Sequence, residues 1–208
     1  VNGSQLITDS PESARWLSET FQTQVTARTS SNAETGFPEA SGSVNLIDEV
    51  ISWWSFVRNT LCDPFSCVGR WPRLASMGAA KLWQIVDQYE RRKRVDGRLD
   101  FCDLILRFIG YRIERSGPER YHPDGDLPNV RAWFFDEYQD SSPIVHLAAQ
   151  RLASAPQVEY VFVGGDPYQS LYSFCGGDPK FLLNPKYWGY SHQQKLHHSY
   201  RCPRAVIQ

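Results

Sequence analysis

Two short runs of β-prone apolar residues, Val130 to Phe135 and Val158 to Val163, flank one helix-length segment, Ile144 to Ala153. That order constrains the chain more than anything else in it. Strand, helix and strand at this spacing predict a βαβ unit and a parallel sheet. A parallel strand is covered on both faces and so is apolar along its length. In open α/β sheets, ligands sit at the carboxyl ends of such strands. Both runs stop abruptly in acids at that end. The first continues FFDEYQDSSP, placing Asp136, Glu137 and Asp140 after Phe134-Phe135, and the second continues VGGDPYQS, placing Asp166 after Gly164-Gly165.

Carboxylates at a strand end meet solvent and a ligand pocket together. One can hold Mg²⁺ through water while the metal bridges phosphate oxygens. A neighbour can orient or deprotonate an attacking water. That division of labour suits Asp136 as metal holder and Glu137 as base. Helix capping is the competing reading for Asp140 and Ser141, which precede the Ile144 helix. In the second segment the glycines permit close backbone approach. Gln169 both donates and accepts hydrogen bonds, which suits contact with a terminal phosphate and its attacking water. Tyr172 and Phe174 follow in alternation. They are either stacking platforms for unpaired bases or core residues. Farther on, LHHSYRCPRAVI (196–207) carries Tyr200 and Arg201. An arginine neutralises charge on a transferring phosphoryl group, and a tyrosine stacks on a base. A surface arginine and a core tyrosine are the plain alternatives.

Upstream the character is helical. Ser10 to Thr26 is expected to be a helix after a Ser10 cap, with Pro11 in its first turn. The polar stretch Thr26 to Ser43 is expected to be a mobile loop. Val44 to Leu61 carries Leu46, Ile47, Val50, Ile51, Trp54 and Val57 at helical spacing. Leu74 to Val95 is expected to be one long helix ending in a cationic run, Arg91 to Arg94. That run suits the helix dipole and solvent, or else a phosphate backbone. Asp100 to Ile113 is expected to be helical and Ser116 to Asn129 a loop. The chain thus divides into a mostly helical region over 1–115 and an α/β region over 116–208.

Composition excludes some classes. The 208 residues are 41% hydrophobic and 13% aromatic, enough for a sizeable core. The net charge of -1, from 22 basic and 23 acidic side chains, rules out a partner attracted by overall field. Apolar runs are too short for a membrane span, and no signal peptide opens the chain. The five cysteines, Cys62, Cys67, Cys102, Cys175 and Cys202, are odd in number and form no CxxC. Reduced thiols in a cytoplasmic protein are therefore expected, with no zinc site.

Four segments in order resemble the UvrD/Rep family of superfamily 1 helicases. DFCDL (100–104) is similar to a DFxDL signature. FFDEYQDSSP resembles the Walker B pattern, a hydrophobic run and then DExQD. VGGDPYQSLYSFCGG is similar to GDxxQSIYxFxGA, and LHHSYRCPRAVI to LxxNYRSxxxI, with Ser199 in the place of the asparagine. The resemblance covers residues 100 to 207. It implies a partial RecA-like P-loop NTPase motor core with a helical insertion, using ATP and Mg²⁺. It also implies 3′ to 5′ movement on single-stranded DNA or at a duplex junction. By the same resemblance, Asp136 coordinates Mg²⁺ with Glu137 nearby, and Glu137 activates water. Gln169 senses the γ-phosphate, Arg201 is an arginine finger, and Tyr200 lies near the adenine. Tyr172 and Phe174 stack on DNA bases.

The family's GxxxxGK[ST] loop is absent, since the chain contains no GK dipeptide. Without that loop the phosphates lack their cradle. Val1 at the start and a pattern cut short at the end lead us to expect a piece of a longer protein, inactive as an ATPase alone. Two alternatives stand beside the helicase. One is an inactive nucleic-acid-binding remnant, and the other is the motor of a helicase–nuclease.

Overall fold

The computed structural model describes residues 5–6, 19, 41–189, 192–196 and 200. In chain order the elements are β1 (Gln5–Leu6), α1 (Ser41–Thr60), α2 (Pro72–Met77), α3 (Ala79–Val95), β2 (Arg98–Leu99) and α4 (Phe101–Ile109). Then follow β3 (Tyr111–Glu114), β4 (Gly117–Arg120), β5 (Ala132–Phe135), α5 (Pro143–Ala153), β6 (Tyr160–Val163) and α6 (Lys180–Leu183). The result is a mixed α/β architecture with three two-stranded sheets among the described residues. None of the described helices is long and apolar enough to cross a membrane.

The helical part is built on one apolar stripe per helix. Val50, Trp53, Trp54 and Val57 of α1 meet Leu82, Ile85, Val86 and Tyr89 of α3, with Leu74 of α2 between them. These spacings put each set on one face at 3.6 residues per turn. The expected helix over Leu74 to Val95 is divided in two. Gly78 takes φ 81° and ψ 146°, which ends α2 and opens α3. Only glycine enters that region without strain. The helix expected over Ser10 to Thr26 lies almost wholly outside the described residues. Of the stretch Thr26 to Ser43 expected to be a mobile loop, residues 26–40 lie outside the described residues, and 41–43 belong to α1.

The cationic run at the end of α3 is also redirected. Lys93 is 2% exposed, its Nζ within 3.0 Å of Asp100 Oδ2, 2.8 Å of Asp103 Oδ2 and 2.9 Å of Glu90 Oε2. Arg58 of α1, also buried, reaches Asp100 Oδ2 at 2.7 Å. Arg91 and Arg92 pair with Asp87 and Asp96. Lys93 alone of the run is committed inside the protein, which removes it as a phosphate contact; Arg91, Arg92 and Arg94 stay exposed, the first two in surface ion pairs. Asp100 and Asp103 additionally form a capping box at the start of α4. Burial pushes the Asp100 carboxyl up, but the Arg58 and Lys93 charges outweigh it and hold the group well below its ordinary range. Removing one partner from such a buried cluster costs about 3–5 kcal/mol, so DFCDL has a structural role here.

Helix α4 ends at Ile109, four residues short of the expected Ile113. Gly110 adopts φ 71° and ψ 45°, and any Cβ there would lie 2.5 Å from the Tyr121 carbonyl oxygen. The chain then turns into an antiparallel hairpin, β3 with β4, pairing Tyr111 with Arg120 and Glu114 with Gly117. The segment expected to be a loop from Ser116 thus contains a strand. Arg151 of α5 donates to the carbonyl oxygens of Phe108, Asp124 and Gly125, tying α5 to the end of α4 and the loop after the hairpin.

Strands β5 and β6 are parallel, with Phe134 opposite Phe162 and Phe135 opposite Val163. α5 is the crossover between them. Phe135 and Val163 point to a cluster around Tyr138, Ala149 and Phe181. His146 of α5 is buried there at 3% exposure. It shares a 2.8 Å hydrogen bond with the Tyr138 hydroxyl and stacks on Phe181 with ring centroids 4.3 Å apart. Burial lowers the His146 pKa to about 4. Above about pH 6.5, the ordinary imidazole value, folded and unfolded chains are both neutral at this site and its contribution is full. As pH falls from 6.5 to 4, the unfolded chain takes up a proton that the folded chain refuses, and stability drops by roughly 3 kcal/mol. Urea unfolding followed against pH should show that loss, and His146→Phe should flatten it in this window.

Candidate functional site

The site grows from two parallel strand ends. Gly164 N–H donates to the Phe135 carbonyl at 2.8 Å, and Tyr138 N–H donates to the Gly164 carbonyl at 3.0 Å. These bonds carry the pairing one step past the strands. They set Asp136-Glu137 beside Gly164-Gly165-Asp166.

Asp136 and Glu137 are both exposed. Asp136 Oδ1 accepts the Glu137 N–H at 2.9 Å. Glu137 takes φ 50° and ψ 38°, a left-handed conformation shared among described non-glycine residues only with Leu61. Such a conformation costs an L-residue about 1–2 kcal/mol, so its neighbours must hold it. Gln139 does so. Its side chain is 1% exposed, and its Nε2 donates to Glu137 Oε2 at 2.7 Å. Its Oε1 accepts the Asp166 N–H at 3.0 Å. One buried amide thus joins the acid after β5 to the backbone after β6.

The second segment is organised by its own acids. Asp166 Oδ1 accepts the Tyr168 N–H at 3.0 Å, and Oδ2 accepts Gln169 Nε2 at 2.8 Å. Asp140 Oδ1 accepts the Leu171 N–H at 3.1 Å, and Ser170 Oγ donates to the Gln139 carbonyl at 3.3 Å. Asp140 is therefore spent on the loop after β6. The N-cap of α5 is Ser142, which makes no side-chain capping bond, so neither Asp140 nor Ser141 caps that helix. Tyr172 and Phe174 are 53% and 61% exposed, with ring centroids 6.0 Å apart. The core reading of this pair does not hold. Beneath them Gly177 N–H donates to the Tyr172 carbonyl at 2.9 Å. Thr60 at the end of α1 abuts Gly176.

The structure therefore brings Asp136, Glu137, Asp166 and Gln169 to one edge, with Tyr172 and Phe174 a few residues along. Tyr200 is fully exposed, and Arg201 lies outside the described residues. Sequence reading passed over Gln139, and the close backbone approach it expected at Gly165 lacked a named partner. Gln139 is a neutral residue between charged ones, and only burial reveals its double hydrogen bond. Gly165 has no left-handed φ to mark it. It is small because Gln139 Oε1 and Tyr138 N occupy the space where a Cβ would stand.

Magnesium fits the donor set. Such an ion keeps several waters and needs only one or two carboxylates from the protein. Asp136 offers an exposed carboxylate whose Oδ1 is already oriented. Gly164 beside it adds no side chain. No group of three or more His, Cys, Asp or Glu side chains converges among the described residues, which argues against a fully protein-made metal cage.

Gly165→Ala should drive a methyl group into Gln139 and Tyr138. Overpacking of this kind costs about 1–3 kcal/mol. A lowered urea midpoint with an unchanged slope would report it, and stability equal to the parent's would mean that the Gln139 amide is not seated as described.

Comparison with known proteins gives one family. The model of the UvrD/REP helicase N-terminal domain matches residues 5–187. That span includes residues before 100, where no signature is legible by eye, and stops short of the LHHSYRCPRAVI segment. YjcD of Bacillus subtilis is 31% identical over 105 residues, 50% of this chain and 13% of that protein. ATP-dependent DNA helicase UvrD2 of Mycobacterium tuberculosis is 34% identical over 113 residues, 52% of this chain and 15% of that protein. The RecBCD enzyme subunit RecB of Mycolicibacterium smegmatis is 28% identical over 123 residues, 59% of this chain and 11% of that protein. The chain thus spans a small part of the length of these relatives. No solved structure matches it significantly.

Proposed function

Because the chain belongs to the UvrD/REP helicase N-terminal domain family, we propose that it is part of the RecA-like first motor domain of an ATP-dependent DNA helicase. The parent protein would couple ATP hydrolysis to movement on single-stranded DNA. In this reading residues 116–208 carry the nucleotide-binding part, and residues 1–115 hold the helical insertion with the rest of that domain. The observation that carries it is the Gln139 bridge between Glu137 and Asp166. The bridge aims the acid of one strand end and the segment of the other at a common edge.

Each residue then has a task. Asp136 would hold Mg²⁺, which when bound neutralises charge on the phosphates. Glu137, its carboxylate fixed through Oε2, would accept the proton of the attacking water. Gln169, with its amide held by Asp166, would face the γ-phosphate. Arg201 would neutralise charge on the transferring phosphoryl group, and Tyr200 would lie against the adenine. Tyr172 and Phe174 would stack on unpaired bases. The path from Gln169 to Tyr172 is three residues long, so a change at the phosphate reaches the strand grip through little intervening chain. The 208 residues hold no GK dipeptide, so this reading needs a phosphate loop supplied by other residues of the parent. It gives the chain by itself no ATPase activity. The RecB similarity supports a second version of the same reading, in which the motor serves a helicase–nuclease.

In the parent protein, Glu137→Gln should abolish ATP turnover while nucleotide binding persists, because the proton acceptor is lost and Asp136 remains. Steady-state turnover within a few-fold of wild type would remove Glu137 as the base. Tyr172→Ala combined with Phe174→Ala should weaken single-strand binding by more than about 1 kcal/mol, as loss of base stacking does. Fluorescence anisotropy with a labelled oligonucleotide measures this, and unchanged affinity would discard the stacking role.

A further inference from the structure

The loop between α1 and α2 holds two cysteines that the spacing rules of the sequence dismiss. Cys62 and Cys67 are five positions apart, and their Sγ atoms lie 3.0 Å from each other. Neither is buried. The turn that brings them together is fixed on every side. Leu61, just before it, takes φ 54°. Asp63 Oδ1 accepts the Phe65 and Ser66 N–H groups at 2.9 and 2.8 Å. Trp53 Nε1, from the core of α1, donates to the Pro64 carbonyl at 3.0 Å. Two thiols are thus presented to each other by a preorganised loop within reach of solvent.

We propose that Cys62 and Cys67 are a reversible dithiol–disulfide site, oxidised by a small peroxide. The sulfurs need to close by about 1 Å to reach a disulfide bond length, a movement within the freedom of the two side chains. Cys62 is the attacking sulfur. The thiol–thiol hydrogen bond between the two cysteines favours the thiolate on Cys62, lowering its pKa to about 6, and raises that of Cys67. A thiolate is the reactive form. The Cys62 thiolate attacks one peroxide oxygen, the O–O bond breaks, and the departing hydroxide takes a proton to become water. Cys62 is left as a sulfenic acid. The Cys67 sulfur then attacks the Cys62 sulfur, the S–O bond breaks, a second water leaves, and the S–S bond forms. Two thiols and one peroxide become one disulfide and two waters, the two electrons passing from sulfur to oxygen. A dithiol reductant reverses it by exchange. The closed ring begins two residues after Thr60, which abuts Gly176 behind the Tyr172–Phe174 pair. Oxidation therefore closes the loop that leaves the helix end against which Gly176 packs.

The test is peptide mapping of this chain after treatment with hydrogen peroxide, with free thiols alkylated before digestion. The expected result is a Cys62–Cys67 cross-link, two fewer titratable thiols, and recovery of both with dithiothreitol. In Cys67→Ser, a sulfenic-acid probe such as dimedone should label Cys62. In Cys62→Ser, residue 67 should stay unlabelled. Free Cys62 and Cys67 after peroxide, a cross-link to Cys102, Cys175 or Cys202, or a cross-link between two chains would overturn the proposal. Equal labelling of the two single variants would overturn the assignment of Cys62 as nucleophile. The mapping of the unsubstituted chain decides the main point whether or not either variant folds.

Discussion

A single buried amide, that of Gln139, holds the two halves of the site in register. Its nitrogen fixes the Glu137 carboxylate and its oxygen fixes the backbone at Asp166. A buried amide left without partners loses about 1–3 kcal/mol per group, so the arrangement is either complete or strongly disfavoured. Much else follows from it. Glu137 accepts a left-handed backbone because its carboxylate has a fixed partner. Gly165 carries no side chain because the amide fills that space. The loop after β6 then folds back, with Ser170 and Leu171 bonded to Gln139 and Asp140.

Beneath that amide lies an apolar floor. Phe135 and Val163 project from the paired strands onto Tyr138, His146 and Phe181. The opposite face of the same strands is open: Phe134 and Phe162 stack in solvent with centroids 4.6 Å apart. The site therefore rests on a one-sided core. The helical part is anchored differently, by apolar stripes on α1 and α3 and by a buried cluster of Arg58, Lys93, Asp100 and Asp103. Asp100 and Asp103 serve two purposes there, capping α4 and neutralising two buried cations.

Legibility in the sequence followed the range of the interactions. The βαβ unit was readable because alternation of apolar and helical segments is local, and Ala132–Phe135, Pro143–Ala153 and Tyr160–Val163 fell where expected. The acids at the strand ends were readable for the same reason. Breaks hidden in continuous apolar periodicity were not. Gly78 and Gly110 each stop a helix that hydrophobic spacing alone would continue, and the β3–β4 hairpin emerged from a stretch taken as helix end and loop. Lys93 looked like one cation among several on a solvent face, and its burial depends on Asp100 and Asp103 folding back onto α3. Cys62 and Cys67 fit no familiar spacing and became neighbours only through the Asp63 turn.

The sequence by itself determined the identity of the chemical groups and their order: two strands ending in carboxylates, a glutamine, an aromatic pair. It did so because strand and helix periodicity and terminal residue choice are properties of neighbouring positions. Only the tertiary structure decided which groups meet. Gln139 and Asp166 are far apart along the chain, as are Arg58 and Asp100. Their contacts exist because parallel pairing of β5 with β6, and packing of α1 against α3, bring distant backbone together and exclude the water that would otherwise satisfy those groups.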